Sequence, residues 1–402
     1  MLQLEEAIDR ILATLPPPTT ETIALSDARG RVVAQAVRSL VDLPPFDNSA
    51  MDGYAVHAAD VQGAKTDKPA RLRLSGKVAA GEVLARSISP GECVRLFTGS
   101  PLPTGSDSVI MQEDTRVEPN LPNEVLVLDA VRPWENVRLR GEDVRSGEPM
   151  ASEGEILKAG HLCLFAAGGI SRISVARQPT VGLIATGSEL REPGQPLSVG
   201  QIYESNRLGL SSLLKTAGAK PIIYPVVEDT LPATEQALSR AFAECDIVVT
   251  AGGASVGELD LIKPAFSELG GELDFWKVAM RPGRPFMFGR WQGKFLFGLP
   301  GNPVSALVTL LLLVWPAVRR WQGAKEVALP AVPGVLAESL ANLGTRRHFI
   351  RVRLESNGAV RLAGPQESHM LHSFATAHGL IDVPPQTTLP AGTPVQVRVW
   401  EL

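Results

Sequence analysis

Between Thr180 and Arg320 the chain alternates short, uninterrupted apolar runs with helical patterns, and this alternation restricts the fold more than any other feature. TVGLIAT (180–186), PIIYPVV (221–227), DIVVTAGG (246–253), ELDFWKVAM (272–280) and KFLFGLPG (294–301) read as strands. ESNRLGLSSLLKTAGA (204–219), LPATEQALSRAFAE (231–244) and LIKPAFSELG (261–270) read as helices between them. VSALVTLLLLVWPAV (304–318) follows as a buried helix. Continuous apolar strands need cover on both faces, so the pattern predicts βαβ units and a mostly parallel sheet.

The flanks follow other rules. Leu4, Ile8, Ile11, Leu12 and Leu15 share one helical face, and Pro16-Pro17-Pro18 stops that helix. From Arg31 to about Glu142, apolar runs at 71–74, 93–97, 108–111 and 124–128 alternate with turn clusters, as in a small β-rich domain. Turns and one helical stretch (157–167) occupy 147–175. From about Glu326, FIRVRL (349–354) and VQVRVW (395–400) alternate as strands do and predict a small β domain. With 32 Pro and 37 Gly in 402 residues, many short elements are expected.

A formal net charge of -4, with no basic domain, argues against a nucleic-acid binder. Three unpaired cysteines (Cys93, Cys163, Cys245) speak against zinc or a disulfide framework and read as buried thiols in a reducing cytosol. The N-terminus has early acids and no apolar core, unlike a signal peptide. The stretch 304–318 is too short for a bilayer core of ~30 Å and carries Pro316, so no membrane segment is expected and the location expected is cytoplasmic.

In open α/β sheets ligands bind beyond the carboxyl ends of the strands. There the sequence places TGSEL (186–190), EDT (228–230), GGASVGELD (252–260), RPGRP (281–285) and GLPGNP (298–303). Gly252, Gly253 and Gly257 allow close backbone approach, and with Ser255 their N–H groups suit phosphate oxygens. Glu189, Asp229, Glu258 and Asp260 come from different loops and together suit Mg²⁺ beside phosphate, although Asp229 could equally cap the helix at Leu231. Lys277, Arg281 and Arg284 suit an oxyanion. Pro303 fits the first helical position, which makes Asn302 the N-cap. Two further polar clusters, LPPFDNSAMDGYAV (43–56) and TGSPLPTGSDSVIMQE (98–113), lie far away in sequence.

These motifs, in this order, resemble the MoeA/gephyrin E-domain family, the molybdopterin molybdenumtransferases. PPFDNSAMDGYAV (44–56) is the most specific, followed by TGSPLP (98–103), RGEDV (140–144), TGSEL, GGASVGELD, PGRP (282–285) and LPGNPVSA (299–306). The resemblance implies a multidomain α/β plus β fold. An extended helical linker region (1–43 and 144–177) would be interrupted by an inserted β-rich domain (44–143). A central molybdopterin-adenylyltransferase-like parallel α/β domain (178–325) and a C-terminal β-barrel (326–402) would follow. It implies an elongated homodimer whose cleft combines the α/β and C-terminal domains of one subunit with the β-rich domain of the other. Molybdopterin adenylyltransferase and molybdoenzymes are candidate partners. The implied reaction inserts molybdate into adenylylated molybdopterin and releases AMP, assisted by Mg²⁺.

The resemblance also implies roles. Asp52 and Thr98 would face the cleft from the partner subunit, with Asp143 a further matched polar residue. Glu189 and Asp229 would hold Mg²⁺ or, with Asp260, position water. Lys277 and Arg281 would hold pyrophosphate or molybdate. Gly252, Gly253, Ser255, Gly257, Arg284, Pro300, Asn302, Arg351 and Ser368 would line the ligand. The chain departs from the family pattern at Ser188, where an acid is common, and at Arg281 and Arg284, where Lys is common. A gephyrin-like binding scaffold, a tungsten-specific paralogue and a nucleotide hydrolase without metal insertion are the alternatives.

Overall fold

The computed structural model describes residues 1–253 and 260–400. Helix α1 (Leu4–Thr14) buries Leu4, Ala7 and Ile11, one stripe at helical spacing. That stripe joins a core cluster with Val314, Trp315 and Val318 near the end of the α/β region, some 300 residues later in sequence. After the proline stop, Thr20–Ala24 pairs antiparallel with Arg172–Ala176. Val33, Leu157, Phe165 and Val175 form a small core beneath that ribbon.

The β-rich part is a six-stranded sheet in the order β4-β1-β3-β2-β6-β5. Its strands are β1 (Gly53–Val56), β2 (Ala70–Val78), β3 (Glu92–Leu96), β4 (Ser108–Met111), β5 (Thr115–Arg116) and β6 (Glu124–Val127). Apolar clusters around Tyr54, Leu72 and Ile110, and around Ala55, Val94 and Val109, make up its core, as the alternation of side chains on a strand requires. Gly53 is obligatory on β1, which lies inside the sheet next to the edge strand β4, because a Cβ there would lie 1.9 Å from the carbonyl oxygen of Ile110. Helix α2 (Ala159–Ala167) returns the chain towards the ribbon.

The α/β part contains β7 (Thr180–Ala185), α3 (Asn206–Thr216), β8 (Lys220–Ile223), α4 (Leu231–Glu244), β9 (Ile247–Ala251), α5 (Ile262–Glu268), β10 (Glu272–Trp276), β11 (Met280–Arg281), β12 (Met287–Trp291), β13 (Lys294–Leu299) and the helix α6 (Pro303–Trp321). Its six-stranded sheet runs β8-β7-β9-β13-β12-β10. The first four strands are mutually parallel, and β12 is antiparallel to both neighbours. Strand β12 was not separated in the sequence reading. It turns into β13 through Gln292-Gly293, both at positive φ (49° and 78°), a two-residue hairpin connection.

Two sequence expectations are corrected here. Helix α6 extends beyond its predicted end at Val318 and is not broken at Pro316. Leu310–Val314 forms a π-helical stretch immediately before it, and this wider turn accommodates the missing N–H while the helix continues to Trp321. At that length α6 is apolar enough to cross a membrane, yet 94% of it is buried inside the protein, where it forms the centre of the α/β core. Cys93 and Cys245 are buried as expected, whereas Cys163 lies on the exposed side of α2. Burial pushes the Cys93 thiol up to about 12, so it is inert at neutral pH.

The C-terminal part contains β14 (Ala331–Leu336), β15 (Arg347–Leu354), β16 (Ala359–Leu362), α7 (Leu371–Ala375), β17 (Gly379–Val383) and β18 (Pro394–Val399). The five strands close into a barrel in the order β15-β16-β14-β18-β17, with β17 returning to β15. Val352, Val360, Ile381 and Val397 fill it. Strand β11 of the α/β region pairs in parallel with the start of β15, matching Arg281 with His348. This two-residue pairing stitches the RPGRP loop to the barrel.

Candidate functional site

The carboxyl ends of β7, β8, β9 and β13 converge, and backbone hydrogen bonds tie their loops together. Gly187 N–H donates to Val227 O (3.1 Å), Thr186 N–H to Ala251 O (3.4 Å) and Gly252 N–H to Leu299 O (3.2 Å). Gly252 and Gly253 both lie at positive φ, 93° and 64°. A Cβ on Gly252 would stand 2.8 Å from Thr186 O, and one on Gly253 would stand 2.7 Å from Ile262 Cγ1. Both positions therefore require glycine for conformation and for space. Ser255 and Gly257, with Glu258, lie outside the described residues.

Asp229 is not the helix cap. Thr230 caps α4, its Oγ1 accepting from Ala233 N–H. Asp229 instead brackets the neighbouring loop: Ser188 N–H donates to its Oδ2 (2.9 Å), and Asp229 N–H donates to Ser188 Oγ (3.2 Å). Glu189 is exposed beside this bracket. Asp260 opens the segment leading into α5. Among the described residues no three His, Cys, Asp or Glu side chains converge as a metal cage. Asp229 keeps one carboxylate oxygen outside the bracket, and with Glu189 it offers hard oxygen donors from adjacent strand ends. That set fits Mg²⁺, which takes one or two carboxylates and completes its shell with phosphate and water.

Three residues here were not singled out from sequence. Asn206, at the start of α3, donates from Nδ2 to Gly301 O (2.8 Å), while its Oδ1 is buried without a partner among the described residues. Thr186 Oγ1, beside the double glycine, is also buried and, among the described residues, unpartnered. Glu204, 3% exposed, accepts from the N–H groups of Asn206 (2.7 Å) and Arg207 (3.0 Å) and pairs with the Arg207 guanidinium at 2.8 Å. This buried pair fixes the helix start that carries Asn206. The available signal was a glutamate two residues ahead of a helix beginning Asn-Arg.

At the start of α6, Pro303 occupies the first turn and Asn302 the N-cap position, though Asn302 makes no side-chain capping bond. Pro300 is buried just before it. Ser368, from the barrel, accepts Val304 N–H through its backbone oxygen (3.1 Å) and so brings its loop onto this helix end.

The third wall is cationic. Lys277 sits at φ 77° with its Nζ 3.7 Å over the Trp276 ring. Arg281 and Arg284 are exposed on the loop that follows, and Arg346 donates to Met280 O (3.0 Å) from the barrel side. Among the described residues none of these three arginines has a carboxylate partner. Burial, followed by Arg284 and Arg281, lowers the affinity of Arg346 for its proton. Uncompensated guanidiniums concentrated at one seam are a seat for an oxyanion. Arg351 lies deeper than a cleft residue. It is fully buried and donates to Ser373 Oγ (3.0 Å) and to the carbonyls of Pro365 (2.8 Å) and Glu367 (3.2 Å), so it anchors the loop next to Ser368. Burial brings its guanidinium down to about 10.

Asp52 and Thr98 meet at one end of the β-rich sheet, where Asp52 Oδ1 accepts from Thr98 N–H (2.8 Å) and hydroxyl (2.9 Å). Asp143 is exposed where the chain re-enters the linker, its N–H donating to Leu43 O (3.0 Å). Among the described residues no hydrogen bond, ion pair or shared core cluster joins residues 44–143 to 178–325. One chain therefore does not itself join the Asp52 cluster to the strand-end crevice.

An α/β sheet with a glycine-lined crevice, paired with a barrel that carries a basic seam, defines a binder of anionic, phosphorylated ligands. Family models agree: residues 2–169 match the MoeA N-terminal region (domain I and II), 182–320 match the Probable molybdopterin binding domain, and 333–400 match the MoeA C-terminal region (domain IV). The chain belongs to the MoeA family, the molybdopterin molybdenumtransferases. It is 37% identical over 387 residues to the molybdopterin molybdenumtransferase of Haemophilus influenzae, covering 95% of this chain and 94% of that one. It is equally similar, at 37% over 388 residues and 95% of each chain, to molybdopterin molybdenumtransferase 2 of Mycobacterium tuberculosis. The solved molybdopterin biosynthesis MoeA protein from Pyrococcus horikosii superposes over 100% of both chains with a TM-score of 0.82 at 32% identity.

Proposed function

We propose that this protein is a molybdopterin molybdenumtransferase that inserts molybdenum from molybdate into adenylylated molybdopterin and releases AMP. One observation carries the reading: the glycine-lined ends of four parallel strands lie in the same α/β domain as an arginine seam, shared with the barrel, that has no carboxylate partner among the described residues. The first suits the AMP and phosphate half of the substrate, the second a tetrahedral oxyanion.

The residues divide the work as follows. The N–H groups around Gly252 and Gly253 approach the phosphate, and Asn206 and Thr186 supply unpaired polar atoms beside it. Arg281 and Arg284, with Lys277, hold molybdate or pyrophosphate oxygens and offset their charge. Asp229 and Glu189 would hold Mg²⁺, which supplies charge neutralisation at the phosphoanhydride. Water cleaves that anhydride and AMP leaves; the two dithiolene sulfurs, which belong to the substrate, replace one oxide of molybdate, which departs as water with their two protons and no change of oxidation state, so no protein thiolate is required. The working unit is a homodimer in which the partner subunit brings Asp52 and Thr98 to the crevice, and the proposed location is the cytoplasm.

The test is AMP release from adenylylated molybdopterin by the purified protein, with Mg²⁺ and with or without molybdate. Molybdate-dependent release is expected. Release that ignores molybdate would overturn the proposal in favour of a plain hydrolase.

A further inference from the structure

Reading the arginine seam as the oxyanion seat leaves one residue there without a role. His348 is 6% exposed, and its Nε2 is buried with no partner among the described residues. It stands in register with Arg281 across the β11–β15 pairing. A buried polar atom without a partner is uncommon and calls for an explanation, of which a group missing from the free protein is one. We propose that His348 belongs to the oxyanion seat and takes up a proton when a tetrahedral dianion settles between Arg281, Arg284 and Arg346.

The surroundings make the coupling one-sided. From β11 and its loop come Arg281 and Arg284; from the residue just before β15 comes Arg346, and from β15 itself Arg351. Arg347, on the same strand, is already committed to Asp382 of β17 and Glu5 of α1, and Asp382 also faces Arg398 of β18. Glu367 acts on Arg351. The charges that act on His348 are therefore cationic. Burial, followed by Arg281, Arg351 and Arg346, holds its imidazole down to about 4, so the free protein carries it neutral. A dianion reverses the local field and favours the imidazolium, which can donate to an anion oxygen. The proton comes from the buffer, and no bond to a heavy atom is made or broken. Because the bound state holds more protons, anion affinity rises as pH falls, by up to about tenfold per unit between the free and bound values.

The inference rests on the functional reading above, and calorimetry separates the two. Molybdate is titrated into the full chain at about pH 6, in two buffers of different ionisation enthalpy, with sulfate as a probe that carries no proton of its own there. Net proton uptake is expected for the natural protein. His348→Gln should bind the anion without uptake and lose the rise in affinity at low pH. Binding without uptake in the natural protein overturns the inference, whether or not the variant folds. So does equal uptake in His348→Gln, or no binding of either anion. If AMP release ignores molybdate while uptake is seen, the functional reading fails and the proton coupling stands. If release depends on molybdate and uptake is zero, only the coupling fails.

Discussion

Ser188 and Asp229 exchange hydrogen bonds between neighbouring strand ends, so each sets the position of the other's loop. Asp229→Asn keeps an oxygen able to accept the Ser188 N–H but removes the charge. AMP release should fall by about 100-fold or more, as when a preorganised electrostatic contact is lost, while the thermal midpoint stays close to that of the natural protein. Full activity in this variant would remove Asp229 from the proposed chemistry. Asp52 gives a pH-dependent prediction. Hydrogen bonds from the Thr98 backbone and then its hydroxyl hold this carboxyl below the usual carboxylate range. A carboxyl depressed in the folded state stabilises that state above its unfolded value, and the contribution is lost as pH falls through the folded value. Thr98→Val removes the hydroxyl donor alone, so the Asp52 titration followed by NMR should move up towards the ordinary range. An unmoved titration would show that the hydroxyl bond is not made in solution. The residue scale was only partly legible in the sequence. Gly252, Gly253, Arg281 and Asp229 stood in loops whose composition already pointed to phosphate and oxyanion chemistry. Asn206, Thr186 and His348 did not stand out, because their significance lies in buried atoms left unpaired, a property of packing and not of spacing.

The elements were more legible. Strands β7 and β9 and helix α4 follow their apolar patterns to within a few residues, because a parallel strand buried on both faces must be apolar throughout. Strand β12 escaped because it reads as part of a Gly/Pro-rich loop and turns through Gln-Gly, a weaker signal than Asn-Gly. The last turn of α6 escaped because Arg319 and Arg320 end the apolar run at Val318, and its π-helical stretch is not visible in a periodicity. For α4 the capping alternative weighed for Asp229 falls to its neighbour: Thr230 holds the helix start. Thr230→Ala should therefore lower unfolding stability by ~1 kcal/mol, measured by urea denaturation, with little effect on AMP release beyond what the adjacent bracket transmits. A loss below a few tenths would mean that the first turn of α4 is held by its packing instead.

At the scale of the whole molecule, the Asp52 cluster and the strand-end crevice sit in parts of one chain that share no core. If a homodimer brings them together, mixing subunits gives a count. Asp52→Ala and Asp229→Ala homodimers should both be inactive. Random mixed dimers restore one intact site in each heterodimer, so activity should recover to about one quarter of that of the natural protein. No recovery after verified subunit exchange would place both residues in the same chain's site, and an active Asp52→Ala homodimer would remove Asp52 from it.

Helix α1 also has a history in time. It is translated well before the surface it covers, which is made by α6, whose last residue is Trp321. At synthesis rates of 5–20 residues per second, the apolar stripe of Leu4, Ala7 and Ile11 waits roughly fifteen seconds to a minute for its partner. The linker, the β-rich part and most of the sheet emerge in that interval. The α/β part is thus covered by residues made some 300 positions before the helix they pack against.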